Sequence, residues 1–320
     1  MEGVMMRNGD RLSVAVRKTD GEIHVETWPW FSLTKKAWLK KPFVRGFPVL
    51  LETMVNGIKA LNYSAAQAVD EEEDGELKPW HIALTLVFAI GLALGLFVVV
   101  PHLFSLGMKH LGLGSDAEGL SFHVWDGFFK LAVFLSYIYA ISLVPAIKRV
   151  FQYHGAEHKL IWTYEETKQV DPVKAKGFSR LHPRCGTAFL LFVLSISIVL
   201  HTVLVPLMLY VYSPENSILK HAYIIVVKLL LMVPIACLGY EAIRVAGKYC
   251  HTLWGKLISA PGLMLQRLTT GEPDAEQLEV AAAALTGALG GELEPEEAAD
   301  MDAATPEKVV EPAAQGAETV

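Results

Sequence analysis

Four long apolar runs, Trp80 to Leu106, Gly127 to Ile147, Thr187 to Tyr212 and Tyr223 to Ile243, stand out against shorter periodic stretches of the chain. Each reaches the ~20 residues that carry a helix across ~30 Å of hydrocarbon, so the pattern predicts four transmembrane helices. Ahead of them the period is two. Arg11 to Arg17 and Glu22 to Trp28 alternate, and Asp20-Gly21 between them supplies the positive dihedrals of a hairpin turn. Val49 to Ala68 changes to helical spacing with one apolar stripe, and Asp70 to Glu76 is a charged linker. The fold class that follows is a mainly α membrane protein: a four-helix transmembrane bundle with a small N-terminal β-hairpin element and cytoplasmic helical segments.

The same pattern divides the chain. Residues 1–45 form the hairpin and a basic-aromatic interfacial segment, 46–69 an amphipathic helix and 70–79 an acidic linker. Residues 80–147 carry the first two spans, 148–186 a histidine-rich loop and 187–243 the last two spans. Residues 244–289 are expected to be a helical region, and 290–320 a disordered acidic tail, because Ala, Glu and Pro without aromatics bury too little apolar surface to fold.

Composition supports the membrane reading. With 52% hydrophobic residues, 19% charged and a mean hydropathy of +0.34, the 320 residues fit neither an ordinary soluble enzyme nor a disordered binder. The net charge of −6 conceals a segregation. From Glu272 onward there are 13 acids and only Lys308 as a base, so the body is basic. Those bases need no nucleic acid to explain them. The segment Lys148 to Arg184 holds eight Lys and Arg, whereas Gly107 to Asp126 holds only Lys109 and Ser213 to Lys220 only Lys220. The positive-inside rule then places the middle loop and both termini in the cytoplasm. The stretch after Met1 is polar and lacks the apolar run of a signal peptide. Trp28, Trp30, Phe31 and Trp38 interleaved with Lys35, Lys36, Lys40, Lys41 and Arg45 suit lipid headgroups, or equally a solvated basic loop. Three cysteines without a spaced framework indicate a reducing side.

Candidate chemistry concentrates in the middle loop. If the second span continues helically past Ile147, His154 and His158 stand four apart on one face, the spacing at which two imidazoles share a metal ion. The string His154-Gly155-Ala156-Glu157-His158 also matches the inverted zinc-peptidase pattern, with Glu157 as the base. Glu241, at the same membrane level, is the best third ligand, with His182, Cys185 and Glu165 as competitors. Arg180 and Arg184 add positive charge for an anionic substrate group, or simply anchor the loop. Two plainer readings stand beside this one: an interfacial histidine patch, or a closed structural zinc site of His154, His158, His182 and Cys185. Inside the spans, Lys228 is a functional suspect by its depth, unless its stem snorkels to the nearer face. His201 faces it only if the registers agree. One proline in each span, Pro101, Pro145, Pro206 and Pro234, hints at kinks.

Several strings together resemble one family, the YqhQ-like bacterial membrane proteins. They run from Glu2-Gly3-Val4-Met5-Met6-Arg7 through Arg45-Gly46-Phe47 and the two histidine strings to Tyr240-Glu241 and Pro261-Gly262-Leu263-Met264-Leu265-Gln266-Arg267. The resemblance covers all but the acidic tail and implies a predicted metal-dependent enzyme. Members usually carry a Gly-Gly-Gln-Ala stretch before the first string, where this chain has Met1.

The expected function is a metal-dependent hydrolase acting near the membrane with a divalent ion, zinc by ligand type, at its cytoplasmic face. The ligands are His154, His158 and Glu241, the base is Glu157, and Arg180 or Arg184 contacts substrate. The alternative is a non-enzymatic scaffold with a structural metal, docking a cytoplasmic protein partner. Membrane lipids are partners in either case.

Overall fold

A computed structural model of the protein describes residues 2–68, 79–250 and 252–291. Nearly all of the expected acidic linker, and the tail beyond Gly291, lie outside them. Three antiparallel strands, β1 (Gly3–Asn8), β2 (Arg11–Arg17) and β3 (Ile23–Pro29), form a sheet in sequence order. The expected hairpin is present with its register Val14 to Glu26, and Gly21 adopts a φ of +92° in its turn. β1 joins β2 across Gly9-Asp10, making three strands of the expected two.

The helices are α1 (Gly46–Ala68), α2 (Pro79–Leu94), α3 (Val100–His110), α4 (Leu120–Ser142) and α5 (Pro145–Thr167), then α6 (Pro172–Ala175), α7 (Gly186–Val211), α8 (Ser217–Lys248), α9 (Leu253–Thr269) and α10 (Ala275–Leu289). A π-helical turn, Gly95–Val99, joins α2 to α3, so the two run on as one segment. Among the described residues, four segments are long and apolar enough to cross a membrane: Leu84–His110, Leu120–Ser142, Gly186–Val211 and Ser217–Lys248. Their outward side chains, such as Val87, Phe88, Val199 and Leu230, are exposed and apolar, as lipid contact requires.

The second span ends earlier than its apolar run. Val144 is extended, with φ −75° and ψ 123°, and Pro145 begins α5. Proline has no N–H to give and disfavours helix at the residue before it. The histidine string therefore sits on a separate helix beyond the break.

β2 is buried at five successive positions, Leu12 to Val16, so it does not face water on either side. On one face Val14 and Val16 meet Ala60 of α1, with Trp28 and Tyr63 packed alongside. On the other, Val4, Met6 and Ala15 meet Tyr153, Ala156 and Leu160 of α5 and the alanine-rich run Val280 to Leu285 of α10. Small side chains let α10 lie close: a Cβ on Gly287 would come within 2.4 Å of Ser13 Oγ. α10 opens with a capping box, Asp274 with Gln277, and closes at Gly290 with φ +90°.

Two aromatics of the basic segment take other roles. Trp30 is buried, its Nε1–H donating to Glu52 at 3.2 Å, and Trp28 packs edge-on to Tyr63 at 5.2 Å. Phe31, Trp38 and Phe43 are the exposed ones.

Candidate metal centre

Helix α5 carries the two histidines, and the geometry around it depends on Gly155. A Cβ there would lie 2.0 Å from the carbonyl oxygen of Gly271. Having none, the helix lets the segment between α9 and α10 cross it, and the Gly271 N–H donates to Phe151 O at 2.6 Å. That crossing brings Thr269 O to 2.8 Å from His154 Nδ1. One helical turn on, Arg180 O lies 2.6 Å from His158 Nδ1. A carbonyl only accepts, so both rings carry a proton on Nδ1, and the neutral form of each ring presents Nε2 as a lone pair.

A sulfur stands beside the two rings. His154 Nε2 is 3.1 Å from Cys185 Sγ, and ligand atoms of His154, His158 and Cys185 all lie within 4.8 Å of one another. Cys185 caps α7, accepting from the Thr187 N–H at 3.4 Å. A helix N-terminus favours negative charge, and a metal-bound cysteine supplies it. Two imidazole nitrogens and one thiol are donors that would suit a zinc ion, held by His154, His158 and Cys185. The donor set fits the ion, and the carbonyls behind each ring are the outer contacts such ligands use.

His182 stands beside this trio and outside it. Gln266 clasps its backbone in two bonds of 2.8 Å, and its ring is 5.7 Å from that of His158 and 4.8 Å from Trp162. Burial, with His158 and Arg184 adding to it, pushes its pKa down to about 3, so it is neutral. Its buried Nε2 has no hydrogen bond among the described residues and lies 3.7 Å from the Glu165 carboxylate.

Glu241, expected as the third ligand, is engaged elsewhere. Arg45 grips it with two bonds of 2.7 Å, Nε to Oε1 and Nη2 to Oε2, and the Phe43 N–H adds a third at 3.4 Å. The two arginines expected at substrate are paired as well. Arg184 bonds Glu165, and Arg180 bonds Thr270 O with Glu272 nearby.

Glu157 makes no hydrogen bond or ion pair among the described residues. It lines a cavity of about 310 Å³ with His154, between Val4, Met5 and Val14 of the sheet and Ala60 and Leu61 of α1. Burial there raises its carboxyl above the usual range, against the opposing pull of His154. Neither the cavity nor the carbonyls of Thr269 and Arg180 were legible in the sequence, since a backbone oxygen leaves no signature in residue type.

Residues 41–291 match the model of a family described as "Protein of unknown function (DUF1385)". The chain is 32% identical over 303 residues to the uncharacterized protein YqhQ of Bacillus subtilis strain 168, spanning 88% of this chain and 87% of that protein. No solved structure matches. The family resemblance is thereby met, while the relative's name carries no activity.

Proposed function

We propose, for a chain that belongs to the DUF1385 family of proteins of unknown function, a membrane-embedded metal-dependent hydrolase with its site at the bundle end that carries the α4-to-α7 connection. His154, His158 and Cys185 hold the ion, in place of the set with Glu241. The observation that carries the reading is the pinning of both imidazoles through Nδ1 to backbone carbonyls, which leaves His154 Nε2 beside the Cys185 sulfur and His158 in the same cluster. A bound divalent ion, zinc by its nitrogen and sulfur donors, supplies Lewis-acid activation of the scissile group and of water. Glu157 accepts the proton of the attacking water and returns it to the leaving group. A carboxyl raised by burial, with no hydrogen bond or ion pair among the described residues, is suited to both halves of that transfer. The cavity beside Glu157 is walled mainly by apolar side chains and glycine, with Ser64, Tyr153 and His154 as its other polar groups, so the substrate brings an apolar chain, as a lipid or a hydrophobic peptide does. The eight bases of Lys148 to Arg184 support a cytoplasmic position for this face, and with it for both termini, at a bacterial inner membrane.

Metal analysis of the purified full-length chain tests the reading. Zinc is expected at stoichiometric level in the wild type and lost in His154→Ala with His158→Ala and in Cys185→Ser. Equal metal in all three would sink it.

A structural clip is the second reading. The three ligands come from separate stretches, α5 and the start of α7, and His182 lies close enough to His158 for a modest shift to close the set. The protein would then be a scaffold docking a cytoplasmic partner. Glu157→Gln separates the two readings: retained metal with lost cellular function favours the hydrolase, and retained function favours the clip.

A further inference from the structure

A second polar cluster lies inside the bundle, on side chains from four helices. Lys228 of α8 places Nζ 2.8 Å from Asp126 Oδ1 of α4, and Lys130 places Nζ 3.4 Å from Oδ2 of the same carboxylate. Lys130 Nζ is also 3.1 Å from His201 Nδ1 of α7, and Lys228 Nζ 3.5 Å from His102 Nδ1 of α3. His102 Nε2 meets His221 Nδ1 of α8 at 2.9 Å. His123 turns Nε2 to Ala117 O at 2.8 Å. Apart from half-buried His221, each of these side chains belongs to a residue 5% exposed or less. At 1.5 Å per residue, Asp126 lies about 9 Å into α4 and Lys228 about 17 Å into α8. Nearer the surface, Lys109 pairs with Asp116 and Lys220 with Glu118, so the local surface charges are already matched.

Pairing alone does not account for this arrangement. One lysine neutralises Asp126; two leave a net positive charge in a medium where a lone charge costs several kcal/mol. An ammonium only donates, so His102 and His201 accept at Nδ1 and carry their protons on Nε2. The bonds then run in one sense, from Lys228 through His102 to His221, toward the 111–119 and 212–216 connections. His123 Nδ1 and His201 Nε2 are buried without a partner among the described residues. Groups that change protonation leave such atoms matched in one state and unmatched in the other.

We propose that Asp126, Lys130 and Lys228 form a proton-binding site within the membrane, which exchanges one proton with the aqueous face at the 111–119 and 212–216 connections through His102 and His221. On release, a Lys228 N–H bond breaks as one forms at His102 Nδ1. His102 gives its Nε2 proton to His221 Nδ1, and the Nε2 proton of His221 passes to water. Lys228 is left as an amine beside Asp126, and the net charge of the three falls from one to zero. Uptake reverses each step.

The test is a pH titration of lysine side-chain nitrogens by nitrogen NMR, on full-length protein in lipid nanodiscs. One lysine is expected to pass from ammonium to amine below the range of the exposed lysines, which titrate near about 10.4. Lys228→Met, which leaves Asp126 paired with Lys130, should abolish that signal; Lys228→Arg, permanently charged, should abolish it too if the first variant does not fold. His102→Phe should keep the end point and slow exchange of that nitrogen's protons with water. The proposal is overturned if every lysine stays ammonium until the exposed ones titrate, or if the early signal survives both Lys228 variants. Unchanged exchange in His102→Phe overturns the route.

Discussion

Two glutamates near the same end of the bundle have opposite surroundings. Glu157 has no hydrogen bond or ion pair among the described residues, and burial lifts its carboxyl above the ordinary value of 4.5. A raised folded-state value means that any stability from this group is present below the ordinary carboxyl value and is lost as pH rises from there through the raised one. Glu157→Gln should therefore raise the melting temperature at neutral pH, by a margin that shrinks toward about pH 4, while removing the proposed hydrolysis. A melting series across pH checks it, and a lower melting temperature at pH 7 would contradict it. Glu241 is the reverse case, held in a two-pronged bond by Arg45 with both side chains largely buried. Glu241→Gln should leave the metal content unchanged and cost about 1–3 kcal/mol of stability, with most of that loss shared in a double-mutant cycle with Arg45→Met. Additive losses would show that the pair is not coupled. Helix spacing and side-chain chemistry made His154, His158 and Glu157 legible in the sequence. The partner of Glu241 was not, because residue order shows which side of the membrane a side chain reaches and not which of the groups there it meets.

At the scale of elements, the helical spacing of His154 and His158 was legible, but as a continuation of the second span and not as the separate helix α5. A glycine in mid-helix weakens it by ~1 kcal/mol relative to alanine, which counts against Gly155 until the crossing segment is seen. With Gly271 O only 2.0 Å from where a Cβ would stand, Gly155→Ala must displace either α5 or the 269–272 segment that fixes His154. The substitution should destabilise by about 1–3 kcal/mol, the range of overpacked cores, and weaken metal binding although no ligand is touched. Gly57, on α1 with open space around its Cβ position, is the control. Gly57→Ala should be neutral or stabilising, and the same sign at both glycines would refute the crossing. The break before α5 was within reach of the sequence, since Pro145 stood in view; the apolar run simply continued past it to Ile147. The strand period of β2 was legible too, but not that both its faces are covered, because that depends on α1 and α10 arriving from distant parts of the chain.

For the whole molecule, the spans were the easiest features to read, because lipid demands about 20 apolar residues in a row and nothing else in the chain offers that. The way the described ends of the chain close on each other was not legible. α10 is built from alanines with few large side chains, so its pattern carries no strong apolar stripe, yet Leu278, Val280, Ala281 to Ala284, Leu285 and Ala288 are all buried. They cover the sheet face next to Ala156 and Leu160 of α5, and Arg17 of β2 fastens the helix through Glu279 at 2.6 Å. The N-terminal sheet, the histidine helix and α10 thus form one packed unit on which the site rests. A chain ended after Glu272, keeping His154, His158, Cys185 and the Thr269 carbonyl, should therefore lose both cooperative melting of this unit and most of its bound metal. A chain ended after Gly291 should keep both. Adding α10 back as a separate peptide should restore part of the metal, since its burial against the sheet needs no covalent link. If the chain ended after Glu272 binds metal as tightly as the longer one, the site is held by α5, α7 and α9 alone, and the sheet and α10 serve some purpose other than shaping it.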